Sequence, residues 1–154
     1  MHGSETEQEA LFRAQAQLAV ELGKPILVHS RDAYLDTLRV VRDYAERIPV
    51  IIHCFGYGPD EAKAFVEAGC YISFAGNLSY KKNLALRQAC QVVPDTRLLL
   101  ETDSPYMNPE PYRGKPSSPF DIARTYDCAG HLRACAPITL ASLVTQNARL
   151  LFGA

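Results

Sequence analysis

Short apolar runs that alternate with amphipathic helices at a steady step predict an α/β fold built on a parallel sheet. Ile26-Leu27-Val28, Val50-Ile51-Ile52, Tyr71-Ile72-Ser73-Phe74 and Leu98-Leu99-Leu100 are nearly continuous in apolar residues, the pattern of strands covered on both faces. Helical stretches separate them, which is the alternation of a parallel sheet. The runs begin at 26, 50, 71 and 98, so the steps are 24 (26 to 50), 21 (50 to 71) and 27 (71 to 98) residues, about one βα unit each. A complete eight-stranded βα barrel takes about 250 residues. With 154 residues and four strands, the chain reads as a single domain over 1–154 of (β/α)8 TIM-barrel type, about half a barrel.

The elements follow in order. Apolar residues from Ala10 to Leu22 recur at three- and four-residue steps and Gly23 follows, which predicts a helix over Glu7 to Leu22. Lys24-Pro25 opens the first strand. A helix is expected from about Ala33 to Glu46, the second strand at 50–52, and a helix from Pro59 to Glu67. The third strand is 71–74, a helix covers Asn83 to Val92, and the fourth strand is 98–100. Ser104-Pro105 through Ser118-Pro119 holds too many breakers for regular structure and is long enough to be a functional loop. Two helices finish the chain, about Phe120 to Leu132 and, capped by Thr139, Leu140 to Leu151.

Composition narrows the function classes. The chain is 47% apolar and 21% charged, an ordinary globular balance, and a domain of this length buries about 70% of its unfolded surface without staples. Sixteen Lys and Arg against seventeen Asp and Glu leave a formal charge of −1, so any nucleic-acid contact must be local. No apolar run approaches the ~18 residues of a membrane span, and the opening Met1-His2-Gly3-Ser4-Glu5 is polar and acidic, so a cytoplasmic protein with no membrane partner is expected. Cysteines at 54, 70, 90, 128 and 135 match neither a zinc pair nor a disulfide framework and read as buried thiols in a reducing compartment.

The ends of the apolar runs carry the chemistry. His29 ends the first, His53 the second, and Asp103 follows the fourth through Glu101-Thr102. In parallel βα folds catalytic side chains collect at the carboxyl ends of strands, where loops vary over a rigid base. Two imidazoles and a carboxylate suit Zn, Mn or Fe, and the carboxylate also suits Mg. A lone histidine so placed is more often a hydrogen-bonded structural residue; three ligand types on one edge point to a metal site. If the strand ran on to 103, Glu101 would share the face of Asp103 and could orient a ligand, pair with a lysine or reach solvent. Arg31, Lys81, Lys82 and Arg113 lie about the same edge with Phe55, Tyr57, Tyr80, Tyr106 and Tyr112, a mixture that suits phosphate charge and base stacking. Each alone also reads as a solvated loop residue. Thr145, Asn147 and Arg149 read as helix packing and capping, and His2 and His131 as surface residues.

Those residues carry a family likeness. Pro25-Ile26-Leu27-Val28-His29-Ser30-Arg31, His53-Cys54-Phe55, Tyr71-Ile72-Ser73-Phe74-Ala75-Gly76 with Tyr80-Lys81, and Glu101-Thr102-Asp103-Ser104-Pro105-Tyr106 with Pro111-Tyr112-Arg113-Gly114 closely resemble the TatD-type metal-dependent DNases. Asn147-Ala148-Arg149-Leu150-Leu151-Phe152 fits as well, so the likeness runs from about Gln8 to Phe152. The resemblance implies a βα barrel of the amidohydrolase-like group whose metal centre hydrolyses DNA phosphodiesters. It implies that His29 and His53 bind one metal, that Asp103 serves the other and helps activate water, and that Lys81 and Arg113 hold substrate phosphate. That family also uses a His-x-His on its first strand and a bridging Glu on its fourth. Neither occurs here; His2, Glu5 and Glu7 precede a helix and do not replace them. The chain therefore resembles the carboxyl-terminal half of such an enzyme.

The expected function is hydrolysis of DNA, as single strands or ends, by water that a divalent ion (Mg, Mn or Zn) makes acidic, with Asp103 accepting the proton. Without the bridging carboxylate, weak or absent activity is expected of these residues alone. Two rivals stand beside it. One is a non-catalytic half-barrel that covers its open sheet edges and an apolar inner face of Leu27, Ile51 and Leu99 by pairing with a copy of itself or with another chain; the partners expected are a homo-oligomer or a missing amino-terminal half. The other is a metal hydrolase acting on an ester or amide, since fold alone does not choose substrate.

Overall fold

The computed structural model describes residues 4–153. Strands β1 (Ile26–His29), β2 (Val50–His53), β3 (Tyr71–Phe74) and β4 (Leu98–Leu100) form one parallel sheet in the order β1-β2-β3-β4. Parallel neighbours in sequence order need a crossover at every step, and α2 (Tyr34–Arg42), α3 (Pro59–Glu67) and α4 (Leu84–Val92) supply them. Helix α1 (Glu5–Leu22) precedes the sheet, and α5 (Ile122–Leu132) and α6 (Pro137–Phe152) follow it. The arrangement is TIM-barrel-like.

Local chemistry explains where the boundaries differ from the sequence expectation. Helix α1 starts two residues early because Ser4 and Glu7 form a reciprocal capping box, and Gly23 closes it in the left-handed region at φ 59°. Helix α2 stops at Arg42, short of Glu46, because the chain tightens into three-residue turns: Asp43 N–H donates to Val40 O, Tyr44 N–H to Val41 O and Arg47 N–H to Tyr44 O. Helix α6 begins at Pro137, not after Thr139, since proline at the first helical position has no N–H to leave unpaired. A 3-10 turn over Pro119–Asp121, capped by Ser118 and Asp121, occupies the expected start of α5. Two further 3-10 turns, Gly76–Ser79 and Asp95–Arg97, have no counterpart in the sequence reading.

The core lies between the sheet and its helices, with Ile52, Ile72, Phe74, Leu98 and Phe65 fully buried. Each such side chain contributes about 1.5–3 kcal/mol. Helix α6 is tied to the foot of β4 by Asn147, whose Nδ2 donates to Asp95 O at 2.7 Å and to Leu98 O at 2.9 Å. His2 lies outside the described residues; His131 is exposed on α5. The five cysteines are unpaired thiols, with Cys54, Cys70 and Cys90 buried. Among the described residues no helix is long and apolar enough to cross a membrane.

The expected apolar inner face is only partly open. Ile51 and Leu99 are buried, while Leu27 on the outer strand β1 is 55% exposed. Leu11, Leu18 and Leu22 of α1 are exposed as well, and a groove of about 840 Å³ runs between α1, β1 and α2 as far as His29.

Candidate functional site

Parallel register sets the first two groups side by side. His29 pairs with His53 across β1 and β2, and their rings lie 5.8 Å apart between centroids at 49°. The turn after His29 is fastened to the loop after His53: Ser30 Oγ shares hydrogen bonds of 2.8 Å with Thr37 Oγ1 and Tyr57 OH, and Ala33 N–H donates to that phenol oxygen at 3.2 Å. Tyr57 therefore belongs to the scaffold and not to a stacking surface. Phe55 is likewise a core residue, 1% exposed and packed edge-on against Tyr57, Phe65 and Phe74.

Asp103 does not stand on a strand. Strand β4 ends at Leu100, and Asp103 lies beyond it in the left-handed region at φ 58°, so the alternation of strand faces does not carry to it. It still reaches one of the histidines: Asp103 Oδ1 is 3.3 Å from His53 Nε2. Glu101 approaches the same ring from the other side, 2.9 Å from Nδ1, and its Oε1 accepts Cys54 N–H at 2.6 Å. Cys54 itself sits in the left-handed region at φ 44°. Burial first, then the carboxylates of Asp103 and Glu101, pushes the Cys54 thiol up to about 12, so it stays a neutral thiol at ordinary pH.

These contacts fix a tautomer. An ionised carboxylate only accepts, so Nδ1 of a neutral His53 carries the proton toward Glu101 and Nε2 presents its lone pair. That lone pair then faces another acceptor, the Asp103 carboxylate, across 3.3 Å. Two acceptors held face to face need a cation or a proton between them. Carboxylate, imidazole and an orienting second carboxylate are the donor set of divalent metal sites, so the group fits in kind. In number it is open: among the described residues no three His, Cys, Asp or Glu side chains are grouped closely enough to hold an ion unaided.

The cations divide. Arg31 is a solvated loop residue, 3.8 Å from Asp32 in an exposed pair. Lys81 and Lys82 are exposed on the turn before α4. Arg113 lies over Tyr80, 4.4 Å from the ring centroid, and Tyr80 OH donates to Asn108 O at 3.1 Å. Burial pushes the Tyr80 phenol up; Arg113 opposes this, and Glu110 and Cys54 reinforce it.

The Pro-rich loop that carries Arg113 is packed down, which its composition does not reveal. Gly76 abuts it so closely that a Cβ there would stand 1.9 Å from Met107 O. Glu110 N–H donates to Ser79 Oγ at 2.8 Å, Asn108 Nδ2 to Pro116 O at 2.8 Å, and Ser117 N–H to Pro105 O at 2.9 Å. Tyr112 is flanked by Arg124 at 4.5 Å and Lys115 at 5.6 Å. Tyr106 is 70% exposed, and its N–H donates to Asp103 O at 2.8 Å.

A parallel βα sheet with imidazoles and carboxylates gathered at its carboxyl edge defines a TIM-barrel-like protein with its chemistry at the strand ends. The chain belongs to the TatD related DNase family, whose model matches residues 2–153. It is 36% identical over 152 residues to the "uncharacterized metal-dependent hydrolase YcfH" of Escherichia coli strain K12, covering 97% of this chain and 57% of that protein. It is 33% identical over 153 residues to the "3'-5' ssDNA/RNA exonuclease TatD" of Citrobacter koseri, covering 96% of this chain and 59% of that one. The crystal structure of YJJV, a TatD homologue from Escherichia coli K12, superposes with a TM-score of 0.92 at 25% identity, over 100% of this chain and 61% of the other. The chain thus spans a little under two thirds of the length of these relatives.

Proposed function

We propose that this chain carries part of a divalent-metal-dependent phosphodiesterase site that hydrolyses DNA at single strands or ends. The observation that carries the reading is the pair of acceptors, His53 Nε2 and Asp103 Oδ1, facing each other at 3.3 Å with Glu101 holding the imidazole from behind. His29, His53 and Asp103 would contribute ligands to the ion, which could be Mg, Mn or Zn, without completing its coordination by themselves. When bound, such an ion acidifies water and neutralises phosphoryl oxygens. Asp103 takes the proton from the attacking water. Glu101 keeps Nε2 of His53 free of a proton, and Lys81 and Arg113 bind the phosphate by charge and, for arginine, by paired hydrogen bonds. The relative named an ssDNA/RNA exonuclease supports nucleic acid as the substrate class. Unpaired thiols fit a reducing, cytoplasmic setting.

Within these residues we read four units of a barrel, the carboxyl-terminal half, with no counterpart of the His-x-His or the bridging glutamate. Activity of the chain alone is therefore weak or absent. The test adds Mg, Mn or Zn and compares cleavage of single-stranded and duplex oligonucleotides by the wild type and His53→Ala. Weak single-strand cleavage lost in His53→Ala fits the reading. Robust cleavage lost in that variant supports the site and refutes the weakness; cleavage that survives the substitution refutes the site.

A second reading rests on exposed Leu27 and the exposed Leu11, Leu18 and Leu22 of α1. An apolar face beside an outer strand favours association with a copy or another chain. Solution mass discriminates: a metal-free dimer favours it, and a well-behaved monomer counts against it.

A further inference from the structure

Five aromatics near the strand ends could receive a nucleobase, and the structure disposes of four. Phe55 is core, and Tyr57 is bonded to Ser30 and Ala33. Tyr80 has Arg113 on its ring and its hydroxyl on Asn108 O. Tyr112 has Arg124 and Lys115 at its ring. Tyr106 is left, 70% exposed, with neither a ring contact nor a side-chain hydrogen bond among the described residues. Its backbone N–H closes a turn onto Asp103 O at 2.8 Å, so the ring rides on the same short segment as the carboxylate that faces His53. Keeping a large ring in water forgoes the ring contacts and side-chain hydrogen bonds that the other four make, and a free π-face offers a flat partner to any base.

We propose that Tyr106 is the base-stacking residue of this site, receiving an unpaired nucleobase next to the phosphate addressed at Asp103. The assignment rests on the nucleic-acid reading above and adds to it the feature that selects splayed over paired bases. A stacked base is worth about a five- to hundredfold change in affinity. The hydroxyl takes no part, so Tyr106→Phe binds as the wild type does.

Two probes test it: a phosphorothioate-linked thymidine dodecamer that resists hydrolysis, and a strand of equal length without bases, each followed by fluorescence anisotropy. Tyr106→Ala should weaken binding of the thymidine strand about five- to hundredfold and leave the abasic strand unchanged; Phe152→Ala, at an exposed ring ending α6, the helix tied to the foot of β4, should change neither. The chain has no tryptophan, so Tyr106→Trp supplies a single reporter whose emission should be quenched by the thymidine strand and not by the abasic one. Tight binding of thymidine with no loss in Tyr106→Ala, or an equal loss on both strands, overturns the stacking role while leaving the nuclease reading intact. Failure of the wild type to bind either strand overturns both.

Discussion

Glu101 holds two donors at once, and replacing one of its oxygens should flip the histidine it holds. In Glu101→Gln the side-chain carbonyl can accept from His53 Nδ1–H or from Cys54 N–H, while the amide NH2 meets the remaining donor head on. The 2.6 Å contact with Cys54 is the shorter, so the carbonyl should stay there and the NH2 should turn to Nδ1, which must then give up its proton. The neutral ring changes tautomer, and Nε2 now points a proton at Asp103. Hydrogen bonds to a charged group are worth about 1.5–3 kcal/mol each, against about 1 kcal/mol for a neutral one, so weakening both from charged to neutral costs about 1–4 kcal/mol of stability. If an ion binds at His53, removal of an orienting carboxylate lowers its affinity about 10- to 100-fold. Long-range proton–nitrogen NMR correlations on the metal-free protein report the tautomer directly, and titration calorimetry with Mn reports the affinity. A neutral wild-type His53 whose single proton sits on Nε2, or an unchanged tautomer in Glu101→Gln, would refute the reasoning whatever the enzyme assay gave.

Two more expectations are independent of any ion. Burial pushes the thiols of Cys54, Cys70 and Cys90 up to about 12, so at pH 8 their thiolate fraction is negligible and rises only as pH approaches that value. A disulfide reagent at pH 8 should modify Cys135 first and Cys128 more slowly, with the other three reacting only in denaturant; rapid modification of all five in the native state contradicts the packing. Gly76→Ala places a methyl 1.9 Å from Met107 O and 2.9 Å from Pro109. The Pro-rich loop must shift, at about 1–3 kcal/mol, and trypsin should cut faster after Arg113. Unchanged proteolysis would show that the loop is not held there.

The sheet was legible because its strands are nearly pure aliphatic runs: β3, β4 and α3 have the predicted bounds, and β1 and β2 add only their terminal histidines. Ends decided by hydrogen bonds were not. The Ser4–Glu7 box lies outside the apolar stripe that marked α1, and Pro137 lacks the hydroxyl that drew attention to Thr139. In the site, the pairing of His29 with His53 follows from parallel register, which equal strand ends announce. The position of Asp103 does not, because it depends on two left-handed residues, Cys54 and Asp103, neither of them glycine and neither flagged by its type. Alternation placed Glu101 on the right face for a wrong reason, since β4 ends before it. The aromatics were singled out as one group and separated only by tertiary contacts, which no local pattern records.

The bend at Cys54 sets a rule for variation. With φ at 44°, a side chain branched at Cβ collides with its own backbone. A library randomised at position 54 and sorted for folded protein should therefore return glycine, asparagine and aspartate alongside cysteine, and reject valine, isoleucine and threonine. Polar newcomers would then compete with Glu101 for the neighbouring imidazole, so the survivors of a sort for shape and of a sort for chemistry would be different sets.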